Sequence, residues 1–555
     1  MQFTTLLHAF YHREKSWADR PYLHQPFGDQ WETYTWGEVG QMARKMATYI
    51  NSLNLPPRSH IGLVSKNCRE WIIADVAIMM AGHVSVPFFA TLTGDQIKEV
   101  LTLGDVAMLF AGKTEVWDDM KNGISEDMPL VRFPHYEGNS EIKRGKDWNE
   151  IMAEVAPMEG SPTPEIDDLW TIIFTSGTTG TPKGVMIKHG TMAAQARAIH
   201  GPNPLKLDQN GDNIFFSFLP LNHVAERGII ECMSIWYGAE ISFTESIERF
   251  AANLQDVRPT FFFAVPRIWT KLKGGILAKL PQEKLGKLLK IPVVSWFIRR
   301  KISKGLGLDR SRIRITGAAA IPTATKDFFT NLGLPLSEAY GMTENCASSH
   351  MQHPENSKPG SVGPVQAGTE CRIEEGTGEV LTRAEYTMDG YYKSPEKTAE
   401  TITDGWLHTG DQGRIDEDGF LFLIGRVKDT FKTAKAKFIV PNEIEAKFDD
   451  MEEIEQLCLL GLGMPQPVLL VTLSEIARAR TQDAVQDSLE ARLTAVNAKL
   501  ASYKKIGALV ITKEDFTVDN NLLTPTLKVK RPQVHQVFSG RLADWIEKRD
   551  AVIWE

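Results

Sequence analysis

Cysteine is scarce in this 555-residue chain: Cys68, Cys232, Cys346, Cys371 and Cys458 are widely scattered, and no C-x-x-C pair occurs. That spacing excludes a disulfide scaffold and a thiolate metal centre, and it suits a reducing compartment. Basic charge is in deficit, with 62 Lys plus Arg against 70 Asp plus Glu and a formal net charge of −8. No global positive field recruits nucleic acid. Long hydrophobic runs are missing too. The opening MQFTTLLHAFYHREKSW has no basic n-region followed by an apolar core, so no signal peptide is read there. The most apolar helical run, residues 71–80, is too short to cross a bilayer and contains Asp75. The expected location is cytoplasmic.

What is present is ordinary globular material, 42% hydrophobic and 24% charged, in a chain long enough for more than one domain. Between His60 and Phe89 the pattern reads strand (IGLVS), helix (REWIIADVAIMMAG), strand (VSVPF), the alternation that builds a parallel sheet with crossover helices. It recurs in IFFSFLP, an apolar helix through Trp236, AEISF, TFFFAV and RIRITG, runs apolar enough to be covered on both faces. From Gly360 to about Ile424 the texture turns to Gly-punctuated short strands, with DEDG at 416–419 as a hairpin turn. After Gly425 a second unit begins, with a helix expected over NEIEAKFDDMEEIEQ and another over SLEARLTAVNAKLASY among three short strands. The fold class expected is α/β: a large, multi-subdomain N-terminal domain over 1–424, including a β-rich subdomain at about 360–424, and a small α+β domain over 425–555.

The chemistry concentrates in IIFTSGTTGTPKGVMI, 172–187, where an apolar strand enters a loop rich in Gly, Thr and Ser that ends in Lys183. Glycine permits close backbone approach, hydroxyl and N–H groups donate to phosphate oxygens, and the ammonium balances their charge. The spacing is not Walker A, which would place Gly where Pro182 stands.

TSGTTGTPKG (175–184) resembles the phosphate-binding signature of the AMP-forming adenylating enzymes, the superfamily of acyl-CoA synthetases, luciferases and peptide-synthetase adenylation domains. EAYGMTE (338–344), GWLHTGD (405–411), GRVKD (425–429) and LLTPTLKVKR (522–531) follow in that family's order. SFLPLNHVAER (217–227), AVPRIW (264–269) and TPTLKVKR look most like long-chain fatty acyl-CoA synthetases. The resemblance implies ATP-dependent activation of a long- or medium-chain fatty acid to an acyl-adenylate, release of pyrophosphate, and transfer to coenzyme A. Alternatives are a fatty acyl-AMP ligase delivering to an acyl-carrier protein, and a non-catalytic nucleotide- or lipid-binding regulator on the same fold. By the same resemblance Thr175, Ser176, Gly177, Thr178, Thr179 and Lys183 cradle the β and γ phosphates, Thr343 reaches the α-phosphate and Glu344 holds Mg²⁺. Tyr340, Gly341, Gly317, Ala318 and Ala319 surround adenine, Asp411 accepts from the ribose hydroxyls, Arg426 approaches the ribose or phosphate, and Lys428 is the hinge. Lys528 is the catalytic ammonium, with Lys530 as its neighbouring rival. His223 orients the acyl carboxylate or thiol, or receives the thiol proton. Lys437 belongs to the strand serving thioester formation, where Ala434 and Ala436 replace the family's usual Ser and Gly.

One stretch stands apart. Between 271 and 304, ten Lys or Arg face one acid, Glu283, with leucines, isoleucines, Trp296 and Phe297 interspersed. This is a candidate peripheral contact with an anionic membrane.

Overall fold

The computed structural model describes residues 3–175, 182–200, 202–208, 210–524 and 528–555. Ser176, Gly177, Thr178 and Thr179, expected in the phosphate loop, lie outside them.

The near-continuous apolar runs become the strands of an eight-stranded sheet. Its order is Gly390–Tyr391, Lys183–Lys188, Leu169–Thr175, Val84–Phe88, His60–Val64, Val106–Ala111, Leu130–Arg132 and Lys146–Asp147. From Leu169–Thr175 to Lys146–Asp147 neighbours run parallel, and Lys183–Lys188 returns antiparallel to Leu169–Thr175. The register sets Thr175 opposite Lys183. A second sheet carries Phe261–Ala264, Ile313–Gly317 and Ser337–Tyr340 in parallel, then His350–Met351 antiparallel. A third joins Ile214–Ser217, Glu240–Phe243, Pro21–Phe27 and Gln30–Thr35.

Helix Arg69–Met80 explains its own composition. All twelve residues are buried, so no polar face is needed, and its one charge at the centre, Asp75, has a partner. Arg227 donates from Nη2 to Asp75 Oδ1 at 2.6 Å, both side chains wholly out of solvent, and its guanidinium lies over the rings of Trp170 and Trp71 at 4.3 and 5.2 Å. Glu231, also buried, approaches Arg227 Nε at 3.6 Å; burial, then the neighbouring Asp75 charge, pushes its carboxyl far above the usual range. One guanidinium thus lies beside two buried carboxyl groups.

The apolar helix expected through Trp236 is interrupted: Arg227–Cys232 is a π-helical stretch, followed by the helix Met233–Tyr237. A π stretch widens the ladder by one residue, and here it spans Arg227 and Glu231 themselves.

The β-rich subdomain is antiparallel, in the order Gly363–Pro364, Phe420–Arg426, Trp406–Ile415, Glu379–Ala384, Thr369–Ile373. Its strand Phe420–Arg426 continues to Arg426, two residues past Ile424, before the turn Val427–Asp429. Beyond it, the sheet Ile454–Leu460, Val468–Leu473, Ala508–Ile511, Val552–Trp554 has an apolar cluster on each face, one under helix Gln482–Lys499 and one under Arg531–Phe538 and Leu542–Lys548.

The helix expected over 442–456 is corrected. It spans only Pro441–Glu445, and Ile454–Leu460 is a strand. Phe448 and Met451 turn into the core, and Ile454 to Leu460 gain a ladder with Val468–Leu473, an attraction that an acid-rich local helix pattern does not match.

Breaking a buried ion pair from one side strands the other charge. Asp75→Ala is expected to lower stability by about 3–5 kcal/mol, whereas Asp75→Leu combined with Arg227→Met costs much less. Urea unfolding monitored by tryptophan fluorescence checks both.

Candidate active site

The parallel strands of the second sheet deliver the site's first residues at their carboxyl ends, where open α/β sheets present ligands. Gly317 closes one strand and Tyr340 the next. A Cβ on Gly317 would meet the Ala339 carbonyl oxygen at 2.9 Å, and one on Gly341 would meet Ala347 backbone carbon at 2.4 Å, so both glycines are demanded by close backbone approach. Ala318 adopts φ +67°, a left-handed conformation unusual for a residue with a Cβ, and Ala319 beside it is exposed.

Asp411 lies where the second sheet meets the β-rich subdomain. Tyr340 donates its hydroxyl to Asp411 Oδ2 at 2.6 Å, and Arg426 Nε lies 2.7 Å from Oδ1. Antiparallel register puts Asp411 directly opposite Arg426, so one ladder makes the ion pair. Burial raises the Asp411 carboxyl, opposed by Arg426, the Tyr340 hydroxyl and Lys528.

Thr343 and Glu344 form the short helical turn after Tyr340, both buried. Tyr391 donates its hydroxyl to Glu344 Oε1 at 2.7 Å, and the Lys183 ammonium lies over the Tyr391 ring at 5.2 Å. Tyr391 reaches this position because Gly390–Tyr391 pairs with Met186 and Val185 on the hairpin that carries Lys183. Burial lowers the Lys183 ammonium, and so do the charges of Lys397 and Lys428, against Glu344 and Glu400. Lys397 is paired with Glu400, so the positive charge around Lys183 is only partly offset, which favours an anion there.

Glu344 Oε2 has no hydrogen-bond partner among the described residues, which leaves one hard oxygen for a divalent cation. Magnesium keeps several waters and takes few protein ligands, so this donor fits it only together with phosphate oxygens. Among the described residues the one group of three potential metal ligands lies elsewhere, at Glu374, Glu379 and His408. There Glu379 already accepts from Gly410 N, and Glu374 from the Thr377 hydroxyl.

His223 caps the turn Val224–Glu226, accepting from Ala225 N at its Nδ1. Burial, and secondarily the Lys528 charge, pushes it down to about 4, so near neutrality the ring is uncharged. With Nδ1 accepting, the single proton stands on Nε2. Nε2 is then a donor, suited to orienting an oxygen and unsuited to receiving a thiol proton. Three residues on, Glu226 is fully buried. It accepts from the Ser217 hydroxyl at 2.8 Å and from Phe218 N at 3.0 Å, and burial raises it to about 8.

Lys528 comes from the C-terminal unit. The residue is exposed; partial desolvation and the Arg426 charge lower its ammonium, Asp411 opposes them, and its charge in turn lowers His223. Its backbone is held by Thr524, whose hydroxyl accepts from Lys528 N at 3.0 Å. Lys530 is turned aside, its ammonium donating to Asn521 Oδ1 at 2.5 Å. Arg531 fastens the segment through a two-pronged pair with Glu445, at 2.8 and 2.9 Å, and a bond to the Leu459 carbonyl at 2.7 Å.

The structure thus brings Tyr340, Asp411 and Arg426 into one bonded group and Lys183, Glu344 and Tyr391 into another, with Thr343 next to Glu344; the charge of Lys428 acts on Lys183, and that of Lys528 on Asp411 and His223. It brings Lys437 into neither group. That residue is exposed in the turn between Phe431–Lys432 and Phe438–Ile439, where its N–H donates to the Thr433 hydroxyl and its carbonyl accepts from Thr433 N. Within this turn Ala436 holds φ +55°, so the family's glycine is replaced where the backbone is left-handed. Tyr391, Lys397 and Glu226 were not singled out from sequence. Only the aromatic pair in DGYYK and the acid beside His223 signal them.

Lys183 and Glu344 joined through Tyr391, and Asp411 held between Tyr340 and Arg426, suit an adenylate-forming enzyme. The family model "AMP-binding enzyme" matches residues 10–392, and the chain belongs to that family, within the AMP-forming adenylating superfamily; it is an AMP-forming acid ligase. It is 29% identical over 578 residues to long-chain-fatty-acid–CoA ligase 1 of Cavia porcellus, covering 93% of this chain and 82% of that protein. It is 28% identical over 562 residues to long-chain-fatty-acid–CoA ligase FadD15 of Mycobacterium tuberculosis, covering 92% of each. The adenylation domain of a carboxylic acid reductase from Segniliparus rugosus, solved with AMP and a co-purified carboxylic acid, superposes with a TM-score of 0.81 at 20% identity, covering 99% of this chain and 95% of that one.

A carboxyl raised to about 8 binds a proton in the folded state that the unfolded chain releases above its ordinary value, so its contribution to stability falls as pH rises through that interval. Glu226→Gln is expected to remove this component. The unfolding midpoint measured from pH 5 to pH 8 should decline less in the variant than in the wild type.

Ala436→Gly removes the cost of a left-handed alanine and is expected to stabilise the protein by up to about 1 kcal/mol. Denaturant titration of the paired proteins measures it.

Proposed function

We propose that the chain activates a fatty acid of medium or long chain with ATP and transfers the acyl group to coenzyme A. The observation that carries this reading is Asp411, held between the Tyr340 hydroxyl and Arg426 and close enough to Lys528 of the C-terminal unit for their charges to interact.

A carboxylate does not accept a thiol, because oxide would have to leave. In the first step a carboxylate oxygen bonds to the α-phosphorus, the bond to the bridging oxygen breaks, and pyrophosphate leaves with the electron pair. Negative charge spreads over oxygens already crowded by their neighbours, so fixed cations and donors stabilise the transition state. Lys528 bridges nucleophile and α-phosphate; Lys183, with Lys397 and Lys428 around it, holds the departing pyrophosphate; Thr343 donates to the α-phosphate. Glu344 would hold Mg²⁺, which would supply charge neutralisation for the phosphates. Tyr340 packs on adenine and fixes Asp411 for the ribose hydroxyls, while His223 Nε2 donates to the acyl carboxylate. The loop of Ser176, Gly177, Thr178 and Thr179 belongs to the same phosphate cradle. In the second step a thiol sulfur bonds to the acyl carbon and AMP leaves. The C-terminal unit turns about Lys428 and presents the Thr433 to Lys437 segment in place of Lys528.

The strained Ala436 in that segment supports a second acceptor, an acyl-carrier protein, since the thiol arm passes beside it in the family. Comparing coenzyme A with acyl-carrier protein in thioester assays separates the two. Medium and long acyl chains partition into bilayers, and the basic stretch 271–304 is the part of the chain suited to meeting them there.

Lys528→Ala is expected to abolish carboxylate-dependent exchange of pyrophosphate with ATP while retaining measurable thioester formation from supplied acyl-adenylate. Full exchange in the variant rejects this assignment, and release of ADP in place of AMP by the wild type rejects the reaction.

A further inference from the structure

The helices Pro266–Lys279, Gln282–Leu289 and Pro292–Gly305 form a projection whose inner side is built into the core of the second sheet. Trp269, Ile276 and Leu285 are buried, and Leu289, Ile298 and Ile302 pack against the same cluster. Helix Pro292–Gly305 has an inward face of Ser295, Ile298 and Ile302, at helical spacing. Its opposite face, Val293, Trp296, Phe297 and Arg300, is spaced i, i+3, i+4, i+7, and would ordinarily be polar.

That outer face is apolar at its beginning. Val293 is 70% exposed, Phe297 61%, Trp296 55%, and Ile291 in the preceding turn 51%. Four large hydrophobic side chains within seven residues form a patch, unlike the single exposed apolar residues common on any surface. Trp296 and Phe297 meet edge to face at 4.8 Å, and the Arg300 guanidinium lies 5.4 Å over the Trp296 ring.

Around this patch stand Lys284, Lys287, Lys290, Arg299, Arg300 and Lys301, all exposed. From 271 to 304 the ten bases and one acid give +9 on a chain whose total is −8. None of the ten makes an ion pair with a described residue. Lys273 and Lys304 feel Asp450 and Asp309 only at longer range, and Asp309 is already paired with Arg258. Cations without acids, encircling exposed tryptophan, phenylalanine and aliphatic side chains, complement a surface with negative headgroups above hydrocarbon. A nucleic acid matches the charge but leaves the aliphatic groups unburied.

We propose that this projection docks the enzyme onto an anionic lipid bilayer, with Ile291, Val293, Trp296 and Phe297 entering the headgroup boundary and the surrounding lysines and arginines meeting lipid phosphates. The full-length protein is floated with vesicles of phosphatidylcholine, with and without phosphatidylserine, at low and high salt. The wild type is expected to float with the anionic vesicles only, and less as salt rises. Lys287→Glu/Lys290→Glu/Lys301→Glu is expected to weaken partitioning on the order of 100-fold or more. Trp296→Ser/Phe297→Ser is expected to weaken it at both salt concentrations. Both variants should retain wild-type pyrophosphate release with a water-soluble short-chain acid that the enzyme accepts, which shows that they are folded. Absence of wild-type flotation at low salt overturns the proposal, as does flotation unchanged in both variants. A concentration-dependent dimer in sedimentation that Trp296→Ser/Phe297→Ser abolishes, without vesicle binding, assigns the face to a second copy of the chain instead.

Discussion

The carboxylate of Asp411 is the point on which the site's geometry turns. It is gripped on one oxygen by Tyr340 and on the other by Arg426, and those two partners come from the parallel sheet and from the last strand of the β-rich subdomain. A carboxylate so shared fixes how these parts of the chain sit together, and it does so at the mouth where ribose hydroxyl groups would add further donors. Its charge also acts on Lys528, raising the ammonium against desolvation and Arg426. Loss of any one partner would unbalance the other two.

A parallel economy governs the phosphate end. Lys183, Lys397 and Lys428 converge with little compensation besides Glu344 and Glu400, an arrangement that is electrostatically uncomfortable while nothing anionic lies between them. Proteins tolerate such frustration where a ligand relieves it. Tyr391 is the brace: it orients Glu344 by a hydrogen bond and receives Lys183 against its ring, and its own position follows from pairing with the hairpin that carries the lysine.

Much of this was legible in residue order. Contiguous apolar runs such as residues 60–64 and 84–88 become strands because both faces are covered, and motif segments keep their chemistry within a few neighbours. Tyr391 and Lys397 escaped because their importance comes from sheet register with a strand about 200 residues earlier, which no local spacing encodes. The segment 442–456 misled for the opposite reason: its local pattern suits a helix, but Phe448, Met451 and the strand from Ile454 find better partners in the folded core. The π stretch at Arg227–Cys232 was invisible as well, since a ladder wider by one residue leaves no mark in the run of apolar residues.

The Arg531–Glu445 clamp has a further effect on timing. It welds the segment bearing Lys528 to the body of the C-terminal unit, so the lysine has no independent swing. Whatever carries that unit away extracts its ammonium in the same stroke. Under the proposed reaction, an adenylate left behind would thereby be shielded from being turned back into triphosphate, and a rigid rivet some distance from the chemistry would act as a ratchet pawl for the reaction's direction.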